Sequence, residues 1–205
     1  MAEVWMDDYK KYFYLSRVEL KNKNVGDLAD RKQLREKMQC KSFQWYLDTV
    51  IPHKYTMDKE SVMWGRLRSA KFNSICLDHL QRDEAHKLKT YKMGQYMCHS
   101  FIGNSQYYTL SNTGELRNEY MCAKVAKEGI TMVPCDGNEN NPEVKWEWIP
   151  VDKLERKGIL KNGHTGKCLK PNESQSNVEV LAASCDNTDE SFVWHFDFDT
   201  SHPDA

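Results

Sequence analysis

The chain has 205 residues with a formal net charge of −1, and 40% of its residues are hydrophobic. This hydrophobic content is typical of a folded chain and argues against disorder, while the near-neutral charge gives no basic footprint for nucleic acid. No apolar run approaches the roughly 18 residues that span a bilayer, and the N-terminus lacks the basic segment and apolar run of a signal peptide. We therefore expect no nucleic-acid partner, no membrane span and no targeting signal in this chain.

Helices are predicted for the N-terminal quarter of the chain. Residues 3–14 carry apolar side chains at the spacing of one amphipathic helix. Asp27 predicts the N-cap of a second helix, and a third is predicted from Ser42 to near Pro52. Such short helices bury little surface by themselves, so we interpret residues 1–51 as the end of a larger domain.

The pattern then changes from helical to β-like. Residues 52–63 are polar and mixed, which predicts a linker. From residue 64 to 200, short β-like runs alternate with turn residues. A Gly-x-Leu-basic motif precedes a cysteine three times, at Gly65, Gly114 and Gly158. Each unit ends near aromatic residues and is too small to bury a core alone, so three units packed around a threefold axis are expected. The predicted fold is mainly β, a β-trefoil with repeats at about 64–110, 111–150 and 151–200, preceded by the short helical segment.

Seven cysteines indicate disulfides and an oxidising compartment. After Cys40 they form three successive couples, namely Cys76 and Cys98, Cys122 and Cys135, and Cys168 and Cys185. Sequence alone leaves many pairings open, but the equal spacing of the first members favours one local disulfide in each repeat. No Cys-x-x-Cys motif supports a zinc ribbon. Cys40 remains unpaired, and we expect its partner to lie in a missing front part of a longer secretory protein.

Two groups of motifs resemble known protein families. The ricin B-type lectins have three repeats, each with Cys-Leu-Asp, a second cysteine and Gln-x-Trp. The chain resembles this pattern through the Cys-Leu-Asp motif at Cys76 and through the cysteine couple and aromatic close of each repeat. Residues 2–10 (AEVWMDDYK) and 40–47 (CKSFQWYL) closely resemble the end of the catalytic domain of polypeptide N-acetylgalactosaminyltransferases. Residues 64–68 (WGRLR) resemble the start of that family's lectin domain.

The resemblance implies a Golgi enzyme that transfers GalNAc from UDP-GalNAc to Ser or Thr with a GT-A domain and Mn²⁺. The chain has no Asp-x-His metal motif, so no catalytic residue, metal or cofactor is assigned to it. Residues 1–51 are then expected to be a helical remnant of the catalytic domain, and the family places the partner of Cys40 upstream. The implied partners are GalNAc-bearing glycopeptides and the rest of a catalytic domain, and the implied location is the Golgi lumen.

The same resemblance assigns a sugar pocket to the first repeat, formed by Asp78, Tyr96, His99 and Asn104. An ionised Asp78 can accept strong hydrogen bonds from sugar hydroxyls, and Asn104 can both donate and accept. Tyr96 or His99 can supply a ring against the apolar face of the sugar. Asp78 alone would be interpreted as a turn carboxylate that caps backbone N–H groups. The presence of all four residues at the family spacing favours the sugar pocket instead.

The second and third repeats depart from this pattern. Lys124 and Lys170 stand where the aspartate is expected, so both pockets are predicted to be empty. The glutamine of Gln-x-Trp is interpreted as replaced in every repeat, by Ser105, Val144 and Phe192. In the first repeat, Gln106 could take over its bracing role only with a local shift.

Three functions remain open from the sequence. The first is a non-catalytic GalNAc-binding lectin module of a GalNAc-transferase involved in mucin-type O-glycosylation. The second is that the chain is a product of a gene whose full-length form is an active UDP-GalNAc:polypeptide GalNAc-transferase. The third is that the trefoil is a module for protein–protein interaction. Asn172-Glu173-Ser174 is a sequon that predicts N-glycosylation if the chain enters the secretory pathway. Trp146 and Trp194 are predicted to lie in the trefoil core.

Overall fold

A computed structural model of the chain describes residues 1–52, 54–55, 60–80, 90–99, 104–127, 129–135, 140–152, 154 and 156–197. Within these ranges the side chains of residues 15, 16, 18 and 104 are not described. The chain divides into two compact units, one built from Met1–Lys54 and the other from Tyr55–Thr200. None of the helices in the described ranges is long and apolar enough to cross a membrane.

The first unit is helical. Its helices are α1 (Ala2–Trp5), α2 (Lys10–Ser16), α3 (Ala29–Lys37) and α4 (Phe43–Thr49), with 3-10 turns at Asp7–Tyr9 and Val18–Leu20. α4 begins as predicted, since the Ser42 hydroxyl accepts from the Trp45 N–H at 3.1 Å. At α3, Asp27 lies one residue before the N-cap, and its carboxylate accepts from the Ala29 N–H at 2.8 Å.

The single helix predicted over residues 3–14 is wrong. Asp7 breaks it with a φ of 48°. In this position its carboxylate accepts two hydrogen bonds from the Arg35 guanidinium, at 2.6 and 3.0 Å, and one from the Phe43 N–H at 2.7 Å. The Arg35 hydrogen bond lowers the pKa of Asp7 against the opposing effect of burial. Because of this break, the Asp7 carboxylate hydrogen-bonds to both α3 and α4 and connects them to the chain between α1 and α2.

The second unit is built from strands. They are β1 (Ser61–Ser69), β2 (Ile75–Asp78), β3 (Tyr91–Lys92), β4 (Gly94–Met97), β5 (Tyr108–Ser111), β6 (Leu116–Asn118), β7 (Met121–Ala126), β8 (Gly129–Pro134), β9 (Trp146–Asp152), β10 (Lys157–Asn162), β11 (Lys167–Lys170), β12 (Val178–Glu179), β13 (Leu181–Ser184) and β14 (Val193–Asp197). Short 3-10 turns at Asn104–Gln106, Pro142–Val144 and Glu190–Phe192 come shortly before β5, β9 and β14. β1 starts inside the segment predicted as a linker, because Ser61 and Met63 pair with Ser111 and Leu110 of β5. Residues 53 and 56–59 of that predicted linker lie outside the described residues.

Six strands close a barrel through antiparallel pairs. β1 pairs with both β14 and β5, β5 with β6, β9 with β10, and β10 with β14. A bridge between Glu115 and Lys145, at the starts of β6 and β9, completes the ring. Each repeat adds a hairpin, formed by β2 and β4, β7 and β8, or β11 and β13. This architecture is a β-trefoil, so the predicted fold class is confirmed.

The three repeats fill one core with equivalent side chains. The leucines of the three Gly-x-Leu motifs are fully buried, and they are Leu67, Leu116 and Leu160. The aromatic residues that close the repeats, Tyr108, Trp146 and Trp194, are buried as well. The indole N–H of Trp146 donates to the Ala123 carbonyl at 2.8 Å, and that of Trp194 donates to the Leu169 carbonyl at 3.1 Å. The predicted core position of both tryptophans is confirmed.

One disulfide crosses each hairpin. The pairs are Cys76–Cys98, Cys122–Cys135 and Cys168–Cys185, as the repeat predicts. In every pair the first cysteine lies in a strand and the second directly follows the partner strand. Cys40 forms no disulfide.

Replacing both Cys76 and Cys98 by Ser should lower the free energy of unfolding by about 3 kcal/mol, because the unfolded chain regains the freedom of the closed loop. Urea unfolding followed by tryptophan fluorescence measures this change. Cys40→Ser is the matched control, since it removes a thiol that closes no loop, and should change stability by less than about 0.5 kcal/mol. Equal effects of the two changes would contradict the assigned role of the first-repeat disulfide.

Candidate functional site

A cavity of about 320 Å³ lies beside the hairpin of the first repeat. Asp78, Leu80, Tyr96, His99, Ser105 and Asn177 line it. Three of the four residues predicted from the sequence therefore share one cavity. The fourth, Asn104, begins the 3-10 turn that contains Ser105, but its side chain is outside the described part of the structure.

Asp78 is the polar centre of this cavity. It ends β2 and is only 3% exposed. One carboxylate oxygen accepts from the Leu80 N–H at 2.6 Å, while the other accepts from the Gln106 side-chain amide at 2.9 Å and the Ser105 hydroxyl at 3.3 Å. Leu80 adopts an unusual φ of 54°. A carboxylate offers about four acceptor directions, so Asp78 keeps capacity for a ligand hydroxyl beyond these three bonds.

The glutamine that braces the pocket is Gln106, and the assignment of its place to Ser105 is wrong. Gln106 is fully buried. Its amide nitrogen donates to Asp78 and to the Met97 carbonyl, both at 2.9 Å, and its oxygen accepts from the His99 N–H at 2.9 Å. Gln106 lies two residues before the buried Tyr108. Counting back from that aromatic residue, instead of forward from the second cysteine, would have found it.

Two rings form the more exposed side of the cavity. Tyr96 lies on β4 opposite Cys76 of β2 and is 40% exposed. His99 follows the hairpin and is partly buried. Their ring centroids are 6.0 Å apart, and the ring planes are inclined by 66°. A partly exposed aromatic ring near a buried carboxylate offers both an apolar and a polar contact to the same small ligand.

The equivalent positions of the other repeats have different chemistry. The ammonium of Lys124 lies 3.3 Å from Glu143, and that of Lys170 lies 3.2 Å from Asp189. Two residues before the closing tryptophans, where the first repeat has Gln106, the chain has the buried Val144 and Phe192. The carboxylate and its amide brace therefore change together, and only the first repeat has both.

In the described ranges, no group of three or more His, Cys, Asp or Glu residues is placed to hold a metal ion. Leu80 and Asn177 line the cavity without having been predicted. No sequence signal pointed to Asn177, because it belongs to the third repeat and reaches the first only through the folded structure.

Comparison with known proteins identifies relatives that match nearly all of the chain. Residues 63–194 match the family model described as the ricin-type beta-trefoil lectin domain. A probable N-acetylgalactosaminyltransferase 9 from Caenorhabditis elegans is 34% identical over 197 residues, which cover 96% of this chain and 32% of that protein. The chain thus spans about a third of the length of this curated relative.

Solved structures agree with this placement. A crystal structure of GalNAc-T7 with UDP, GalNAc and Mn²⁺ is similar with a TM-score of 0.62 and 26% identity, covering 96% of this chain and 34% of that one. A designed protein with threefold symmetry, ThreeFoil, is similar with a TM-score of 0.53 and 17% identity, covering 66% of this chain and 99% of its own. The second likeness concerns the trefoil fold alone.

Gln106→Ala should lower the free energy of unfolding by about 2–3 kcal/mol, because it leaves Asp78, the Met97 carbonyl and the His99 N–H without their shared partner. Ser105→Ala is the matched control and should cost no more than about 1 kcal/mol, since it removes one hydrogen bond of 3.3 Å. Urea unfolding measures both values. A larger loss for Ser105→Ala than for Gln106→Ala would show that the brace has been assigned to the wrong residue.

Proposed function

Because the chain belongs to the ricin-type β-trefoil lectin family, we propose that its first repeat binds N-acetylgalactosamine carried on glycopeptides. The observation that carries this proposal is the pairing of Asp78 with Gln106 at the base of a cavity. A buried carboxylate is costly unless polar groups surround it. Here those groups leave one side of Asp78 facing a space of about 320 Å³.

The chemistry of a galacto-configured sugar suits this arrangement. The carboxylate can accept a hydrogen bond from a sugar hydroxyl, and this bond is stronger than one between neutral groups. An acceptor placed for an axial hydroxyl selects galacto over gluco sugars, because the equatorial hydroxyl of a gluco sugar points elsewhere. Tyr96 and His99 supply rings for the apolar face of the pyranose. In this proposal Asn104 completes the site as a further donor and acceptor.

The second and third repeats are proposed to leave sugar unbound. Each has a lysine in place of the carboxylate, and its ammonium already lies near an acidic residue of the same repeat. A cation at this position cannot accept hydrogen bonds from hydroxyl groups. The proposed lectin activity therefore rests on one site, whose affinity should be weak, with a Kd of about 1 mM.

We further propose that the chain corresponds to the lectin module and the adjoining end of the catalytic domain of a polypeptide GalNAc-transferase. The C. elegans relative matches along 96% of the chain, so the match includes most of the helical residues 1–51. In such a protein, UDP-GalNAc and Mn²⁺ would be bound by the part of the enzyme that this chain does not match. A weak lectin site beside a catalytic domain raises the local concentration of substrates that already carry GalNAc. The Golgi lumen is the proposed location.

Asp78→Ala should weaken binding of GalNAc at least tenfold, because it removes the charged acceptor at the base of the pocket. Tyr96→Ala changes an exposed side chain and should weaken binding about threefold to tenfold without loss of the fold, because it removes the aromatic contact to the sugar. Lys124→Ala is the matched control in the second repeat and should leave the Kd unchanged. Titration of methyl α-GalNAc followed by NMR measures each value, with circular dichroism to confirm folding.

Full retention of GalNAc affinity in a folded Asp78→Ala variant would refute the assigned site. If the unmodified chain failed to bind GalNAc and instead bound one protein tightly, the trefoil would be a protein-contact module.

A further inference from the structure

The third repeat forms one wall of the first-repeat cavity. Asn177 lines this cavity and immediately precedes β12, which pairs with β4 through Val178 and Gln95. The Asn177 N–H donates to the Gln95 carbonyl at 2.9 Å. A Cβ atom at Gly94 would lie 2.4 Å from the Leu80 side chain and 2.9 Å from the Val178 carbonyl. The close approach of β12 to β4 therefore requires glycine at position 94.

The side chain of Gln95 holds the loop that leads to Asn177. Gln95 is fully buried. Its amide oxygen accepts from the Asn172 N–H at 2.7 Å. Its amide nitrogen donates to the carbonyls of Asn172 at 3.4 Å, Glu173 at 3.3 Å and Gln175. A second contact comes from the Ser176 hydroxyl, which accepts from the Met97 N–H at 3.2 Å.

The other repeats have apolar residues where the first has Gln95. Three residues before the second cysteine, the second repeat has the fully buried Met132 and the third has the buried Ala182. Both belong to the main hydrophobic core. A buried amide costs free energy at such a position unless its hydrogen bonds are made, and those of Gln95 are made to the third-repeat loop. The hydrogen bonds of Gln95 thus stabilise the third-repeat loop, whereas an apolar residue at this position would pack into the core.

We propose that Asn177 is a specificity-determining residue of the sugar site and that Gln95 is its positioning residue; this inference rests on the proposed function. Asn177 is exposed and has a φ of 60°, a left-handed conformation that asparagine tolerates better than most residues. Its carboxamide offers both donors and an acceptor. The acetamido group of an N-acetylated sugar offers one N–H and one carbonyl, so the two amides can pair. The group recognised by Asn177 is therefore the 2-acetamido substituent, which distinguishes GalNAc from galactose.

The test compares two sugars on the full chain. Methyl α-GalNAc and methyl α-galactoside are titrated into the unmodified chain, Asn177→Ala, Gln95→Met and the double variant. Asn177→Ala should weaken GalNAc binding about fivefold, the usual effect of losing a hydrogen bond between neutral groups, and change galactoside binding less than about twofold. Gln95→Met introduces the residue type that the second repeat has at the equivalent position, and it should lower the preference for methyl α-GalNAc over methyl α-galactoside. The double variant should be no less selective than Asn177→Ala alone, because both changes act through one contact.

The matched control is Asn187→Ala, an exposed asparagine in another turn of the third repeat, which should change neither Kd. A readout without sugar tests the positioning role separately. In Gln95→Met, amide hydrogen exchange at Asn172 and Asn177 should accelerate at least tenfold while the melting temperature shows a folded trefoil.

The outcomes separate the two proposals. If Asp78→Ala abolishes GalNAc binding but Asn177→Ala leaves the preference for GalNAc over galactoside unchanged, the specificity role of Asn177 is wrong and the proposed function stands. If the unmodified chain binds neither sugar, the proposed function is wrong and the specificity role falls with it. Unchanged exchange at Asn172 and Asn177 in Gln95→Met would overturn the positioning role of Gln95.

Discussion

One hydrophobic core shared by three repeats is the constraint on which this trefoil depends. Each repeat supplies a buried leucine and a buried closing aromatic residue to it, and none of the repeats could bury such side chains alone. These leucine and aromatic positions must stay apolar in every repeat, so the repeats differ in chemistry at other positions. Asp78, Lys124 and Lys170 are at such equivalent positions, on the hairpin strands β2, β7 and β11.

The candidate site shows how one repeat departs from the other two. Asp78 and Gln106 act as a pair, because the buried carboxylate needs the amide donor and the amide also fixes the backbone at Met97 and His99. Where the carboxylate is replaced by lysine, the amide is replaced by an apolar residue. The first repeat also differs at Gln95, where a polar residue occupies a position that is apolar in the other repeats. The hydrogen bonds of Gln95 hold the third-repeat loop beside the cavity.

Repeated local features explain how much the sequence could predict. The Gly-x-Leu motifs, cysteine couples and closing aromatics fix the trefoil, and the Cys-Leu-Asp motif points to Asp78. Counting forward from Cys98 places the glutamine at Ser105, whereas in the fold Gln106 occupies its position, two residues before the closing Tyr108. The helix break at Asp7 depends on Arg35, far away in sequence. Asn177 reaches the pocket only through β12 and β4, a contact between repeats that no local pattern encodes.

Chemical-shift mapping of the ¹⁵N-labelled chain during titration with methyl α-GalNAc tests the central claim most directly. If one carboxylate-centred pocket binds the sugar, the shifts should cluster around Asp78, Tyr96, His99 and Asn177, with none around Lys124 or Lys170. Shifts of equal size at the hairpins of all three repeats, or saturating shifts centred on the second or third repeat, would contradict it.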